Sequence, residues 1–180
     1  MKMQNGAPKK ITTPCLKAKS IGNKRRDKKV ASTLVLRKFR QVFNAVKSHF
    51  QQVEKKAGIG GAQIWALSLV HNKPGIGVND LALAMDIHQT TASNLVRTLV
   101  KLQMLAVERN GPDKRSVQLY IMPSGQKVLL KAPEPFAGVL PEALRQLDLV
   151  TLERLDADME QLLKLLAVKE EAAQIPLGQL

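Results

Sequence analysis

Between residues 30 and 57 apolar side chains recur at Val35, Phe39, Val42, Val46, Phe50 and Val53, in steps of three and four with no Gly or Pro among them. This period predicts a long amphipathic helix, and GIGG at 58–61 ends it. A second helix is expected over about 62–70, with Ile64, Leu67 and Val70 on one side, before the breaker NKPGIG at 72–77. Asn79 is placed to N-cap a short helix, LALAM, whose Leu81, Ala82 and Met85 face inward. DIHQ predicts a turn, and HQTTASNLVRTLVKLQML a further helix with one apolar face. MLAVERN and RSVQLYI are expected to be strands joined by NGPDK, which has the Asn, Gly, Pro and Asp of a tight hairpin. Pro123 opens another helix through about Lys131, and APEPF breaks the chain again. The last helix, 141–173, carries Leu152, Leu155, Met159, Leu162 and Leu166 in steps of 3, 4, 3 and 4, a seam suited to another helix. There is no internal repeat.

The helix after DIHQ is the most informative. On a wheel of roughly 100° per residue, Thr90, Ser93, Asn94, Arg97 and Lys101 share one arc, while Ala92, Leu95, Val96 and Leu99 take the opposite side. The helix holds no acid, whereas a merely solvated face mixes both signs of charge. Short Thr, Ser and Asn side chains let a backbone approach closely, hydroxyls and amides donate to phosphate, Asn can bond adenine bidentately, and Arg suits guanine or phosphate. A short helix, a tight turn and a longer helix with polar residues at its N-terminal end follow the helix-turn-helix plan, in which the second helix enters a major groove. The hairpin, with Lys114 and Arg115 at its tip, adds a wing.

Charge changes the picture next. The 180 residues carry a formal charge of +13, which points to an anionic partner. Residues 1–40 hold 13 basic side chains against one acid, Asp27; residues 41–131 hold 11 against 5, and 132–180 hold 4 against 9. The middle of the chain is therefore a better polyanion surface than its C-terminal part. Residues 1–29, rich in Lys and without apolar periodicity, are expected to be a disordered basic tail, either adding phosphate contacts or simply solvated. Aromatic residues are only 3%, which argues against single-strand binding over stacking platforms.

In these residues the chain resembles the MarR (multiple antibiotic resistance regulator) family of bacterial transcriptional regulators. The resemblance rests on AQIWAL, VNDLALAMDIHQTTASNLVRTLVKLQML, RNGPDKR and IMPSG. It implies a dimeric winged helix-turn-helix protein that binds double-stranded DNA, more often as a repressor. It implies that Gln89, Thr90, Thr91, Ser93, Asn94 and Arg97 face DNA and that Arg115 of the wing reaches a minor groove. It also implies that the terminal helices join two subunits, and that a small-molecule effector pocket lies where these helices meet the DNA-binding lobe. Two positions depart from the family: Ile121 and Met122 replace Leu-Thr before the next helix, losing a hydroxyl cap, and Asn94 stands where many members carry Arg.

The other chemistry-bearing residues carry less. Asp113 either pairs with Arg115 or Arg109 and aims a guanidinium, or forms the Pro-Asp turn. His49, His71 and His88 lack metal-site spacing, and Cys15 stands alone, so neither a metal nor a cofactor is expected. His88, just before Gln89, is expected in the turn or at the start of the helix. No nucleophile elbow, phosphate-binding loop or acid pair appears at catalytic spacing, and no enzyme is expected. Trp65 either lines a ligand pocket or, the more ordinary outcome, fills the core. A single cysteine fits a reducing compartment, and no apolar run reaches the roughly 18 residues of a membrane span. A secretory h-region is also missing, so a soluble protein of the bacterial cytoplasm is expected.

The expected fold is mostly α with a small β-hairpin wing. It comprises a disordered tail (1–29), an N-terminal dimerisation helix (30–57), a winged helix-turn-helix lobe (58–131) and C-terminal dimerisation helices (132–180). The expected function is sequence-specific regulation of transcription by a homodimer. The rivals are a nucleoid-associated structural protein dominated by its tail, and a winged-helix protein-interaction module.

Overall fold

Helix α2 (Gly61–Asn72) is apolar on nearly every side, with Ile64, Ala66, Leu67 and Val70 fully buried, as a helix at the centre of a lobe must be. Around it the computed structural model, which describes residues 19–108, 117–167 and 174–179, arranges the other elements. These are α1 (Lys19–Ala57), β1 (Ile76–Gly77), α3 (Val78–Ala84), α4 (Gln89–Lys101), β2 (Leu105–Glu108), β3 (Gln118–Ile121), α5 (Pro123–Leu129), α6 (Val139–Arg145) and α7 (Leu149–Leu166). Among the described residues the fold is thus seven helices and one small antiparallel sheet, ordered β1-β3-β2. Ser68, the polar residue buried in α2, donates its hydroxyl to the Trp65 carbonyl at 2.7 Å, so its burial leaves nothing unpaired.

Two compact units make up the chain, Met1–Gln41 and Val42–Leu180. In the first, Val30, Leu34, Val35 and Leu36 are exposed. In the second, Leu81, Leu99, Leu119 and Val53 join α2 in a single core. Of the stripe expected on the first helix, only Val53 is buried; Phe39, Val46 and Phe50 are half-buried, and Val35 and Val42 are exposed.

Several expectations need correction. The first helix begins at Lys19 rather than at 30, so residues 19–29 of the expected disordered tail are helical and residues 1–18 lie outside the described residues. Lys and Arg are good helix formers, and extending an existing helix needs no new nucleus. NKPGIG is not only a breaker, because Ile76 and Gly77 pair with Leu119 and Gln118 of β3. That pairing holds Gly77 extended, at φ −77° and ψ 160° in the manner of an N-cap, so α3 starts at Val78 and Gly77, not Asn79, is its cap residue.

The single helix expected over 141–173 is two, α6 and α7. Asp148 ends the continuity: its carboxylate accepts from the Thr151 backbone N–H at 2.9 Å and the Thr151 hydroxyl at 2.8 Å. A side chain that satisfies a helix's orphan donors starts a new helix in competition with continuing the old one. Ala167, at φ 50°, closes α7.

Candidate nucleic-acid interface

α3 and α4 enclose a turn with a defined hydrogen-bond pattern. The Met85 N–H donates to the Leu81 carbonyl, that of Asp86 to Leu83 and that of Ile87 to Ala82. Asp86 takes the left-handed conformation, φ 51°, which Asp tolerates better than most residues. Ile87 is buried beneath the turn and anchors it. His88, extended, is the N-cap residue of α4, as its place before Gln89 suggested, though its side chain makes no capping bond.

The two faces of α4 separate as the wheel predicts. Ala92, Leu95, Val96 and Leu99 are buried against the lobe. Gln89, Thr90, Asn94, Arg97 and Lys101 are exposed, and Thr91 and Ser93 are half-buried. Arg97 Nη1 donates to Asn94 Oδ1 at 3.0 Å, an i,i+3 pair on the helix surface. This bond occupies one lone pair of the Asn94 amide oxygen and leaves the other lone pair and the Nδ2 donors to the outer side. The Thr98 hydroxyl, also exposed, donates to the Asn94 carbonyl at 2.9 Å. Such back-bonding to the preceding turn is open to any helical Thr, which is why the sequence pattern does not single out Thr98.

Gln89 and Ser93 also line a cleft of about 430 Å³ with Gly77, Val78, Asn79, Asp80 and Val117. The start of α3, the first turns of α4 and the start of β3 thus meet at one place. Asp80 was not anticipated there. As an acid in the first turn of α3 it complements the helix dipole, and its charge disfavours a phosphate on that wall.

The wing strands pair in register, Leu105 with Ile121 through Glu108 with Gln118. Residues 109–116, among them Arg109, Asp113, Lys114 and Arg115, lie outside the described residues. Beyond the wing, Met122 is the N-cap residue of α5 without a side-chain cap, matching the lost hydroxyl.

A short helix, a turn, an exposed acid-free helix and an antiparallel wing make this a winged helix-turn-helix lobe. The family model described as MarR family matches residues 57–116, from the end of α1 to past β2. Over these residues the chain is similar to the MarR family. Solved structures similar to the chain include the complex of Staphylococcus aureus MepR with DNA, 23% identical, covering 71% of this chain and 93% of that one with a TM-score of 0.50. Another is the transcriptional regulator BldR from Sulfolobus solfataricus, 22% identical, covering 77% and 96% with a TM-score of 0.47. Bacillus subtilis YusO is 15% identical, covering 76% and 96% with a TM-score of 0.48. The likeness to MepR is one of fold. No curated protein matches the chain significantly.

The winged helix-turn-helix lobe is flanked by a second candidate feature. Val42, Phe43, Val46, Phe50, Leu140 and Leu177 give a cavity of about 490 Å³ mostly apolar walls, and Lys47, Gln51 and Glu54 add polar groups. This is a size and lining that suit a small ligand. Trp65 is not among its lining residues; it packs half-buried against the core. His49 is buried, with its Nε2 N–H donating to the Pro135 carbonyl at 3.1 Å. Among the described residues no group of three His, Cys, Asp or Glu could hold a metal, and no helix is long and apolar enough to cross a membrane. Cys15 lies outside the described residues.

The seam residues of α7 share one side, where Leu152, Met159 and Leu162 are half-buried and Leu155 and Leu166 exposed. No residue of α7 is buried within one chain.

Proposed function

We propose that the protein is a sequence-specific regulator of transcription that binds double-stranded DNA as a homodimer, acting as a repressor released by a small-molecule effector. The observation that carries this reading is α4: its buried side is wholly apolar, and its outer side presents Gln89, Thr90, Thr91, Ser93, Asn94, Arg97 and Lys101 with no acid among them. Short polar side chains in the first turns read base edges and phosphates, and Lys101, two turns on, meets phosphate. Lys114 and Arg115 extend the bound surface along the groove, with Asp113 orienting the Arg115 guanidinium. Such a protein is a binding protein rather than an enzyme, and it works on the bacterial chromosome in the cytoplasm.

The dimer reading rests on α7, whose Leu152, Leu155, Met159, Leu162 and Leu166 find no buried environment in one chain. A two-fold partner covers that face and sets two reading heads one helical turn apart, about 34–36 Å, on a pseudo-palindromic site. The effector reading rests on the apolar cavity beside the lobe. An effector that favours the wrong spacing of the heads lowers DNA affinity by linkage.

Selection of bound fragments from genomic DNA tests the reading. A recurring pseudo-palindrome, bound more weakly by both Asn94→Ala and Arg115→Ala dimers, is the expected outcome. Unchanged affinity in both variants would remove the assigned reading surface.

A further inference from the structure

Phe50 projects into a place that only residues without a side chain can line so closely. A Cβ at Gly61 would overlap its ring, one at Gly138 would stand 3.0 Å from Cζ, and one at Gly178 3.1 Å from Cε1. These glycines come from the start of α2, the loop before α6 and the 3-10 turn Leu177–Gln179. Gly178 also meets backbone, because its Cβ would stand 2.8 Å from the Ala62 backbone nitrogen and 3.1 Å from the Gly61 carbonyl carbon. Backbone at the start of a buried helix cannot swing aside as a flexible side chain can. Pro176, next to this turn, is buried. Residues 174–179 are therefore docked on the lobe, and Leu177 and Gly178 form one wall of the 490 Å³ cavity beside Val46, Phe50 and Leu140.

We propose that segment 174–179 is a detachable wall that completes the ligand cavity, so that a small, largely apolar molecule with one polar end binds tightly only while the segment is docked. This rests on reading the cavity as the effector site. Three features favour a detachable wall over a fixed part of the core. The segment is short, its chain reaches it only after α7 has ended at Ala167, and Leu177 is still 36% exposed. The Leu177 side chain thus contributes apolar surface to a ligand rather than to the core. By linkage, a ligand that touches Leu177 tightens the docking of the segment by the same factor that docking tightens the ligand.

The test uses the full chain and 1-anilinonaphthalene-8-sulfonate, an apolar probe with one charged end, followed by fluorescence titration and hydrogen exchange. Wild type is expected to bind one saturating equivalent, and the bound probe to slow exchange over 177–179. Leu177→Ser, which leaves the backbone fit intact, and Gly178→Val, which forces the segment off, are each expected to weaken the probe by about tenfold, the effect of removing a partly buried leucine side chain from its site. Circular dichroism and a cooperative melt like those of wild type show that both variants are folded. One-site binding in wild type with unchanged affinity in both variants overturns the proposed wall and leaves the effector cavity standing. Absence of saturable binding in wild type overturns the effector reading of the cavity, and the wall with it.

Discussion

Asn94 is tied to its helix at two atoms, through Arg97 on its side-chain oxygen and Thr98 on its carbonyl. The Asn94–Arg97 bond holds both side chains on the surface of α4 and offers an amide donor beside a guanidinium. On the proposed function, Asn94→Ala lowers affinity for the selected DNA by about tenfold to a hundredfold, the range for one base contact, as read by fluorescence anisotropy. Gly125 behaves differently. A Cβ there would come 2.5 Å from the Met104 carbonyl oxygen and 3.0 Å from Ile121 Cγ1, so Gly125→Ala is expected to cost about 1–3 kcal/mol by overpacking, measured by urea unfolding. The polar residues of α4 were legible in the sequence because spacing alone puts them on one side. The role of Gly125 was not, because the atom that most tightly excludes a side chain, the Met104 carbonyl oxygen, belongs to a residue remote in the chain.

At the scale of elements, α4 carries the proposed reading face, and the pairing of β1 with β3 sets the start of α3 beside it. Leu99 lies fully buried at the centre of the apolar face, and Leu99→Ala is expected to destabilise the lobe by about 2–5 kcal/mol, visible as a lowered unfolding midpoint. α7 depends on its cap. The Thr151 backbone N–H, followed by the Thr151 hydroxyl, holds the Asp148 carboxyl below its ordinary value of 3.8. A lowered folded-state value means that the ionised cap stabilises above the unfolded-state value and that this contribution disappears as pH falls through the folded-state value. Wild type is therefore expected to melt higher than Asp148→Ala at neutral pH, and the difference in Tm to close as the pH is taken well below 3.8. The leucine stripe from Leu152 to Leu166 lies wholly within α7 and gave no sign of where that helix begins, since periodicity is blind to a side chain that bonds its own backbone three residues on.

At the scale of the whole molecule, the seam on α7 is only partly covered, with Leu155 and Leu166 exposed. Leu155→Lys combined with Leu162→Lys is expected to shift sedimentation from dimer to monomer and to lower affinity for a two-half-site DNA. The basic residues of 19–29 belong to helix α1, and on the proposed function they neutralise phosphates in addition to those met by the head. Replacing Lys24, Arg25, Arg26, Lys28 and Lys29 by Gln in the full chain is expected to flatten the dependence of log affinity on log salt, by about 0.9 for each phosphate no longer neutralised, while the preferred sequence is retained. Loss of that preference would instead favour a structural, nucleoid-type role.

Local order was set by the sequence itself: the opposed faces of α4, the glycine and proline punctuation between elements, and the hairpin strands all follow from neighbours three, four or two residues apart. Those periods are properties of helix and strand geometry and need no knowledge of the rest of the chain. Only the tertiary structure decided that Ile76 and Gly77 become a third strand and that Asp80 faces the same cleft as Gln89 and Ser93. It likewise decided that three glycines distant in sequence close around Phe50. Each of these depends on which segments come to lie side by side, and that is settled by burying one shared core rather than by any local pattern.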